Sequence, residues 1–439
     1  MRITDISFSE LPGKLLEHLA VGHCVSIVGL SNSGKSTLLR AMTADQAAKI
    51  YASRADRPAL LIYIDCNRAV EISSQAFYEV VLRSILEHLA DERDGSFGDL
   101  RDAHQTVTEA NNAFAASLSF NLALSELCNQ LDKDLCLFFD EFDEIYRALD
   151  DRALLNLRAL RDRFEDQLAF ATATTRSLPV LRGQTIEDEF AELFSRFTYG
   201  MPLLNSEEAE TVIEELEISD LPDNLRSKAV ELSGGHPGIL VALAQSLVNL
   251  PDQAAKDPVA FVRFEPQPRA ECLKLWNQLT EDERESLVTL VLNPKSGLPR
   301  QQTRHLSALG MLREGKIFSP IFAEFVSRRG RSPDVDAQGV YLDSDSGDVW
   351  VDGIRVPVLT DLEYRLLELL YERRDKLTDK YQIVTAVWGE EYLGDVDDAR
   401  VEKLISRLRS KVEPDPSEPC YIITRRGRGY KLLSKPRST

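Results

Sequence analysis

Over the first 205 positions, short continuous apolar runs alternate with stretches of helical spacing. Residues 23–30, 59–66, 135–139, 168–174 and 197–204 predict five buried strands, and residues 37–50, 76–89 and 118–131 predict helices between them. Strands that are apolar at every position, with helices between them, predict an α/β domain: a mostly parallel sheet with helices on both faces. Residues 92–116 are polar and weakly periodic, which predicts a mobile excursion. After Asn205 the strand pattern stops. Residues 207–216, 224–232 and 239–248 predict a small helical lid, broken by Ser233-Gly234-Gly235-His236-Pro237-Gly238. An acidic, Pro-containing connection then leads to residues 272–328, whose short helices and Gly315-Lys316 turn suit a winged-helix-like module.

A second pattern fills the C-terminal end. Thr360 and Glu363 form a capping box before a helix whose buried face is Leu362, Leu366, Leu367, Leu369 and Leu370, and Thr378 is expected to cap the next helix. In a third helix, residues 396–412, Val401, Leu404, Ile405, Leu408 and Val412 share a stripe roughly 100° wide. Arg400, Lys403, Arg407 and Lys411 share another, about 80° wide and centred roughly 110° away. Arg409 lies off the basic stripe and is expected to pair with an acidic neighbour. A hairpin follows, with Thr424, Arg425, Arg426 and Arg428 around its tip. These changes of pattern divide the chain into residues 1–205, 206–250, 251–328, a linker at 329–338, and 339–439.

Composition fits a folded protein, with 43% hydrophobic and 28% charged residues. The net charge of -19 excludes a chain that coats nucleic acid or anionic membrane along its whole surface. Yet from Val396 onward eleven Lys and Arg face six Asp and Glu, the asymmetry expected if one small surface meets phosphate. The six cysteines are scattered without a C-x-x-C pair, which predicts free thiols in a reducing cytosol. No run approaches the ~20 apolar residues of a membrane span, so the expected location is cytoplasmic.

The chemistry begins at Gly29-Leu30-Ser31-Asn32-Ser33-Gly34-Lys35-Ser36, which fits G-x-x-x-x-G-K-[ST] between a predicted strand and a predicted helix. Glycines let backbone N–H groups wrap a phosphate, Lys35 is suited to the β- and γ-phosphates, and Ser36 to Mg²⁺. Thr37 completes the predicted nucleotide contacts. The apolar run 135–139 ends in Asp140-Glu141, placing one carboxylate for the Mg²⁺ shell and one to polarise a water.

With those residues in place, the first 250 positions resemble the P-loop ATPases of the AAA+/STAND assemblage. The resemblance implies ATP or ADP with Mg²⁺, a γ-phosphate sensor at Thr174 or Thr175, an arginine finger at Arg196, and a turn at His236-Pro237 that closes over the nucleotide. No lid arginine stands at that turn, which favours a slow switch over a fast ring-forming motor. Residues 349–433 resemble the OmpR/PhoB-type winged helix, which implies double-stranded DNA as a partner, the third helix in the major groove and Arg426 at the wing. The expectation is a nucleotide-switched DNA-binding transcription regulator, closed with ADP and opened by exchange for ATP, with self-association. The alternative is a DNA-dependent ATPase of replication, transposition or defence against foreign DNA.

Overall fold

The computed structural model describes residues 11–90, 98–183, 188–216, 218, 221–248, 261–262, 265–294, 297–330, 339–342, 349–357, 359–388, 398–425 and 427–436. The chain divides into two compact units, residues 1–325 and 326–439. In the first, α1 (Leu11–Ala20) leads into β1 (Val25–Val28), α2 (Lys35–Ala41) and α3 (Asp45–Ala52). Then come β2 (Ala59–Asp65), α4 (Ser74–Ala90), α5 (Gly98–Glu109), α6 (Ala113–Gln130), β3 (Asp134–Asp140), α7 (Asp143–Ala148), α8 (Asp151–Arg163) and β4 (Leu168–Thr174). Two one-turn helices, α9 (Leu178–Leu181) and α10 (Glu189–Glu192), precede β5 (Thr198–Gly200). The sheet order is β2-β3-β4-β1-β5 and every pairing is parallel. β3 and β4 are buried at every position, which is why both read as apolar runs in the sequence. The register sets Asp65 opposite Asp140 and Val28 opposite Thr174, so the ends of β1, β3 and β4 share one carboxyl edge.

Three expectations change. The helix expected over residues 37–50 is two helices, because the chain turns at Met42–Ala44 and the Thr43 hydroxyl donates to Arg40 O at 3.0 Å. The excursion expected at 92–116 holds α5 and the start of α6. Only Leu100 and Val107 of α5 are buried, too sparse a signal to read as a helix. The Gln75 amide donates to Val107 O at 2.9 Å and Ala110 O at 3.1 Å, satisfying carbonyls at the α5 end. The fifth strand is an edge strand of three residues, shorter than its apolar run.

Beyond β5, α11 (Ser206–Glu215), α12 (Asp223–Ser233) and α13 (Pro237–Val248) form a helical group, and α13 packs against α14 (Pro266–Asn277). The middle segment continues with α15 (Glu281–Leu292), α16 (Arg300–Ala308), the hairpin β6 (Leu312–Arg313) and β7 (Lys316–Ile317), and α17 (Pro320–Gly330). Capping boxes at Asn205/Glu208 and Thr280/Glu283 start α11 and α15.

The second unit has its own apolar core, which includes Leu366, Leu367, Ile383, Leu404, Leu408 and Ile422. A three-stranded antiparallel sheet, β8 (Val340–Leu342), β9 (Val349–Val351) and β10 (Ile354–Arg355), precedes α18 (Asp361–Glu372), α19 (Lys380–Val387) and α20 (Asp398–Val412). The hairpin of β11 (Ile422–Arg425) and β12 (Gly429–Leu432) follows. Thr360 and Glu363 do form the capping box of α18. Asp379, not Thr378, caps α19, because Thr378 is taken into a bridge with Tyr430 of the hairpin. Gly429 allows that approach: its φ is +122°, and a Cβ there would lie 2.1 Å from Thr378 O. Glu413, just after α20, accepts from the backbone N–H groups of Cys420 (2.8 Å), Tyr421 (3.0 Å) and Ile422 (2.6 Å). One buried carboxylate therefore ties the helix to the hairpin. Glu413→Ala orphans two buried donors and a part-buried third, and is expected to destabilise this unit by roughly 3 kcal/mol. Faster amide exchange along α20 and β11, with exchange in β3 and β4 unchanged, is the measurement that checks it.

Candidate functional site

The loop between β1 and α2 turns back on itself. Gly29 N–H donates to Thr174 O at 3.1 Å, so the loop begins against the end of β4. Asn32 and Gly34 both have positive φ, 57° and 96°. Lys35 is buried and donates to Gly29 O at 2.7 Å and Leu30 O at 3.3 Å. Burial lowers the Lys35 pKa, against the opposing pull of Glu141, Asp143 and Asp140. A Cβ on Gly29 would lie 2.5 Å from Ser33 Oγ, and that hydroxyl is buried without a hydrogen-bond partner among the described residues. A tight glycine cradle, an orphaned hydroxyl and a buried lysine fit a bound phosphate. The loop opens on a cavity of about 560 Å³ lined by Asn32, Gly34, Lys35, Ser36, Thr37 and Glu141 on one side, and by Leu204, Val212, Pro237, Gly238, Val241 and Ala242 on the other. Gln245 and, from α14, Gln267, Ala270, Glu271 and Lys274 complete the lining, so the cavity joins an apolar patch of lid residues to polar groups.

β3 delivers the acidic groups. Asp140 is buried and accepts from the Tyr63 hydroxyl at 2.6 Å, while the Arg40 guanidinium lies 5.0 Å over the Tyr63 ring. Glu141 has a φ of +50° and its N–H donates to Asp140 Oδ1 at 3.0 Å. That left-handed turn aims its side chain at the cavity. Burial raises the Glu141 pKa, with Lys35 opposing and Asp140, Asp143 and Asp65 reinforcing. Asp143 receives the Thr175 N–H at 3.0 Å and also its hydroxyl. The fully buried Thr174 hydroxyl donates to Arg176 O at 2.7 Å. Both sensor candidates are thus engaged within the protein. Arg196 is exposed before β5, its guanidinium 5.9 Å from the Phe197 ring, and does not line the cavity. His236 is buried beside the cavity wall, and burial pushes its pKa down to about 4, which keeps the ring neutral near pH 7.

The middle segment holds the loop through contacts that no local sequence pattern marks. Gln278, just after α14, accepts from Ser31 N–H at 2.7 Å and donates to Ser31 Oγ at 2.6 Å. Glu271 accepts from the Asn32 amide at 2.7 Å, and Gly238 N–H donates to Asn32 O at 3.1 Å. A Cβ on Gly238 would lie 2.6 Å from Asn32 Cβ, so only glycine permits this closure. Next to the sensor candidates, Arg176 makes a paired contact with Glu283 at 2.9 and 2.7 Å and donates to Gln278 O at 2.8 Å. Glu283 also hydrogen-bonds His305 at 2.7 Å. Ser31 and Asn32 of the loop, and Arg176 next to the sensor candidates, are therefore held by contacts with residues 271–283.

In the second unit, α20 buries Val401, Leu404, Ile405, Leu408 and Val412, the face that its periodicity predicted. Arg400, Lys403 and Arg407 are exposed. Lys411 instead binds Glu363 at 2.7 Å, anchoring α20 to the α18 start. Arg409 donates to Ile422 O and to Thr424 Oγ1 at 2.8 Å, so it braces the hairpin instead of pairing with an acid. Arg425 and Arg428 are exposed at the hairpin tip, and Arg426 lies outside the described residues.

Residues 11–181 match the model of the AAA ATPase domain, and residues 355–432 match that of the transcriptional regulatory protein C-terminal domain. Among curated proteins, the sensory transduction protein RegX3 of Mycolicibacterium smegmatis is 36% identical over 116 residues, 24% of this chain and 49% of that protein. The uncharacterized transcriptional regulatory protein YrkP of Bacillus subtilis is 41% identical over 85 residues, 19% of this chain and 36% of that protein. The chain thus spans about a third to a half of the length of these relatives. A solved Walker-type ATPase of Pyrococcus abyssi aligns at 16% identity and TM-score 0.47, covering 73% of this chain and 95% of that one. Among the described residues, no helix is long and apolar enough to cross a membrane.

The Glu283 contacts carry a pH signature. Burial raises its pKa, but hydrogen bonds from His305, the Thr280 N–H and Arg176 outweigh it and hold the carboxyl below its ordinary range. A carboxyl depressed in the folded state stabilises fully above its unfolded value of about 4.3, and that stability is lost as pH falls through the lowered one. Glu283→Gln is expected to lower the melting temperature at pH 7 and to narrow its gap from wild type below about pH 4.3. Melting curves across that range check it.

Proposed function

Because the chain joins an AAA ATPase domain to an OmpR/PhoB-type DNA-binding domain, we propose that it is a transcription regulator whose grip on double-stranded DNA is set by ATP or ADP in the loop cavity. The observation that carries this reading is the hold of Gln278, Glu271 and Glu283 on Ser31, Asn32 and Arg176. These contacts link the phosphate loop to the middle segment, so a ligand that binds one arrangement of the loop more tightly than another would shift both together, as a switch requires. The reading is of the STAND kind: closed with ADP, opened and self-associating with ATP, and slow in hydrolysis.

In this reading the site residues take the following roles. Gly29 to Thr37 wrap the phosphates, with Lys35 turning its ammonium from Gly29 O to the β- and γ-oxygens. Ser36 and Asp140 hold Mg²⁺, and Tyr63 fixes the outer oxygen of Asp140. Mg²⁺, when bound, neutralises charge on the terminal phosphates. Glu141, which lines the cavity beside Lys35, orients the attacking water. Thr174 or Thr175 reports the γ-phosphate once its internal bond is exchanged. Arg196, exposed and outside the cavity, suits a finger offered to a second copy. His236 and Pro237 close the base side. On DNA, Arg400, Lys403 and Arg407 face the major groove and Thr424, Arg425, Arg426 and Arg428 the flanking backbone or minor groove.

Two outcomes test the reading. Lys35→Ala is expected to abolish tight ATP binding in calorimetry while the second unit keeps its fold. In full-length protein, Glu141→Gln slows hydrolysis by about tenfold or more and, loaded with ATP, binds target duplex more tightly than the same protein with ADP. Equal DNA affinity in both nucleotide states, or rapid DNA-stimulated turnover without a sequence-specific footprint, overturns it. Arg407→Ala reduces discrimination between target and scrambled duplex, costing about 1–3 kcal/mol at a base contact, as titrations at several salt concentrations show.

A further inference from the structure

The cavity has a second cation, and it comes from the middle segment. Gln267, Ala270, Glu271 and Lys274 line the cavity at helical spacings i, i+3, i+4 and i+7, so one whole face of α14 forms a wall opposite the phosphate loop. Lys35 and Lys274 are the only basic side chains among the lining residues. Lys274 Nζ lies 2.6 Å from Glu271 Oε1, and the other oxygen of that carboxylate holds the Asn32 amide of the loop at 2.7 Å. Lys274 is thereby placed one carboxylate away from the loop backbone. It stays half-exposed, at 54%, so its ammonium is free to swing on a flexible stem. The lid residues that line the cavity, Val212, Pro237, Gly238, Val241, Ala242 and Gln245, include no cation.

We propose that Lys274 is a nucleotide-binding residue: it leaves Glu271 for a phosphate oxygen of the bound nucleotide, completing the charge that Lys35 supplies from the other side. The inference rests on the nucleotide reading of this cavity. It adds that the middle segment touches the ligand directly, and that the Glu271–Lys274–Asn32 chain is rearranged when nucleotide enters. A triphosphate carries about four negative charges near neutral pH, and a positioned ammonium is a charge-assisted donor to it. Glu271, left without its lysine, then faces both the loop and the phosphates, so nucleotide entry weakens the same contact that holds Asn32.

Calorimetry of ATP binding to the full chain tests the proposal. Lys274→Ala is expected to weaken binding about tenfold, and Lys274→Arg to restore it to near the wild-type value. Removing the lysine also leaves Glu271 as an uncompensated repulsive charge, so the Glu271→Gln/Lys274→Gln double variant is needed. If Lys274 binds phosphate, the double variant remains weak compared with Glu271→Gln alone. An affinity equal to that of Glu271→Gln, or an Arg variant as weak as the Ala one, overturns the proposal. Lys35→Ala runs beside these as a separate control: wild-type affinity there sinks the nucleotide reading itself, whereas lost affinity there with an unaffected Lys274→Ala sinks only the role of Lys274.

Discussion

The Gln278 side chain takes the Ser31 N–H and gives a hydrogen bond to the Ser31 hydroxyl, across a sequence separation of 247 residues. A backbone N–H of a phosphate loop that is satisfied by a protein side chain is one that phosphate must either displace or accommodate. The Glu271 contact to Asn32 and the Arg176–Glu283 pair repeat the constraint at two neighbouring points. Arg176 and Glu283 are only 12% and 6% exposed, so breaking the pair would leave a poorly solvated charge. The loop and Arg176, just after β4, are therefore tied to residues 271–283 by side-chain hydrogen bonds and an ion pair. In the proposed switch, a ligand that prefers one arrangement of the loop acts on residues 271–305 through these contacts.

Within the first unit, the parts that depend on local pattern were legible in the sequence. The strands β1, β3 and β4 are buried at every position and β2 at most of its central ones, so each reads as a largely apolar run, and the motif from Gly29 to Ser36 needed only a strand before it and a helix after it. The basic third helix of the second unit separated its buried and charged faces on periodicity alone, and the buried set is the one expected. What stayed hidden needed a partner distant in the chain. Tyr63 meets Asp140 because β2 and β3 are neighbours in parallel register, which no single strand encodes. Gln278 sits just past an ordinary helix end, with nothing in its neighbourhood to separate it from any surface glutamine. Arg409 and Lys411 fell on or near a basic face, yet both are spent on bracing the domain, because side-chain length lets them reach Ile422 and Glu363.

The second unit uses charge in two ways. Inward, Glu413 and Glu363 are buried carboxylates matched to backbone N–H groups and to Lys411, which fixes the helix against the hairpin. Outward, Arg400, Lys403, Arg407, Arg425 and Arg428 remain exposed on a chain that is otherwise strongly acidic. Bulk repulsion from nucleic acid combined with one attractive face favours binding in a single orientation, and makes affinity steeply dependent on salt.

In the proposed switch, nucleotide state governs the hold of the middle segment on the phosphate loop. The Ser31 amide reports it directly, since its proton is hydrogen-bonded to the Gln278 side chain in the closed arrangement. Hydrogen exchange at the peptide containing Ser31 and at the peptide spanning Glu271 to Gln278, in full-length Glu141→Gln protein, compares ADP with ATP. The account predicts slow exchange in the 271–278 peptide with ADP and clearly faster exchange with ATP, while the loop itself stays protected by phosphate. Identical exchange of the 271–278 peptide in both states contradicts it.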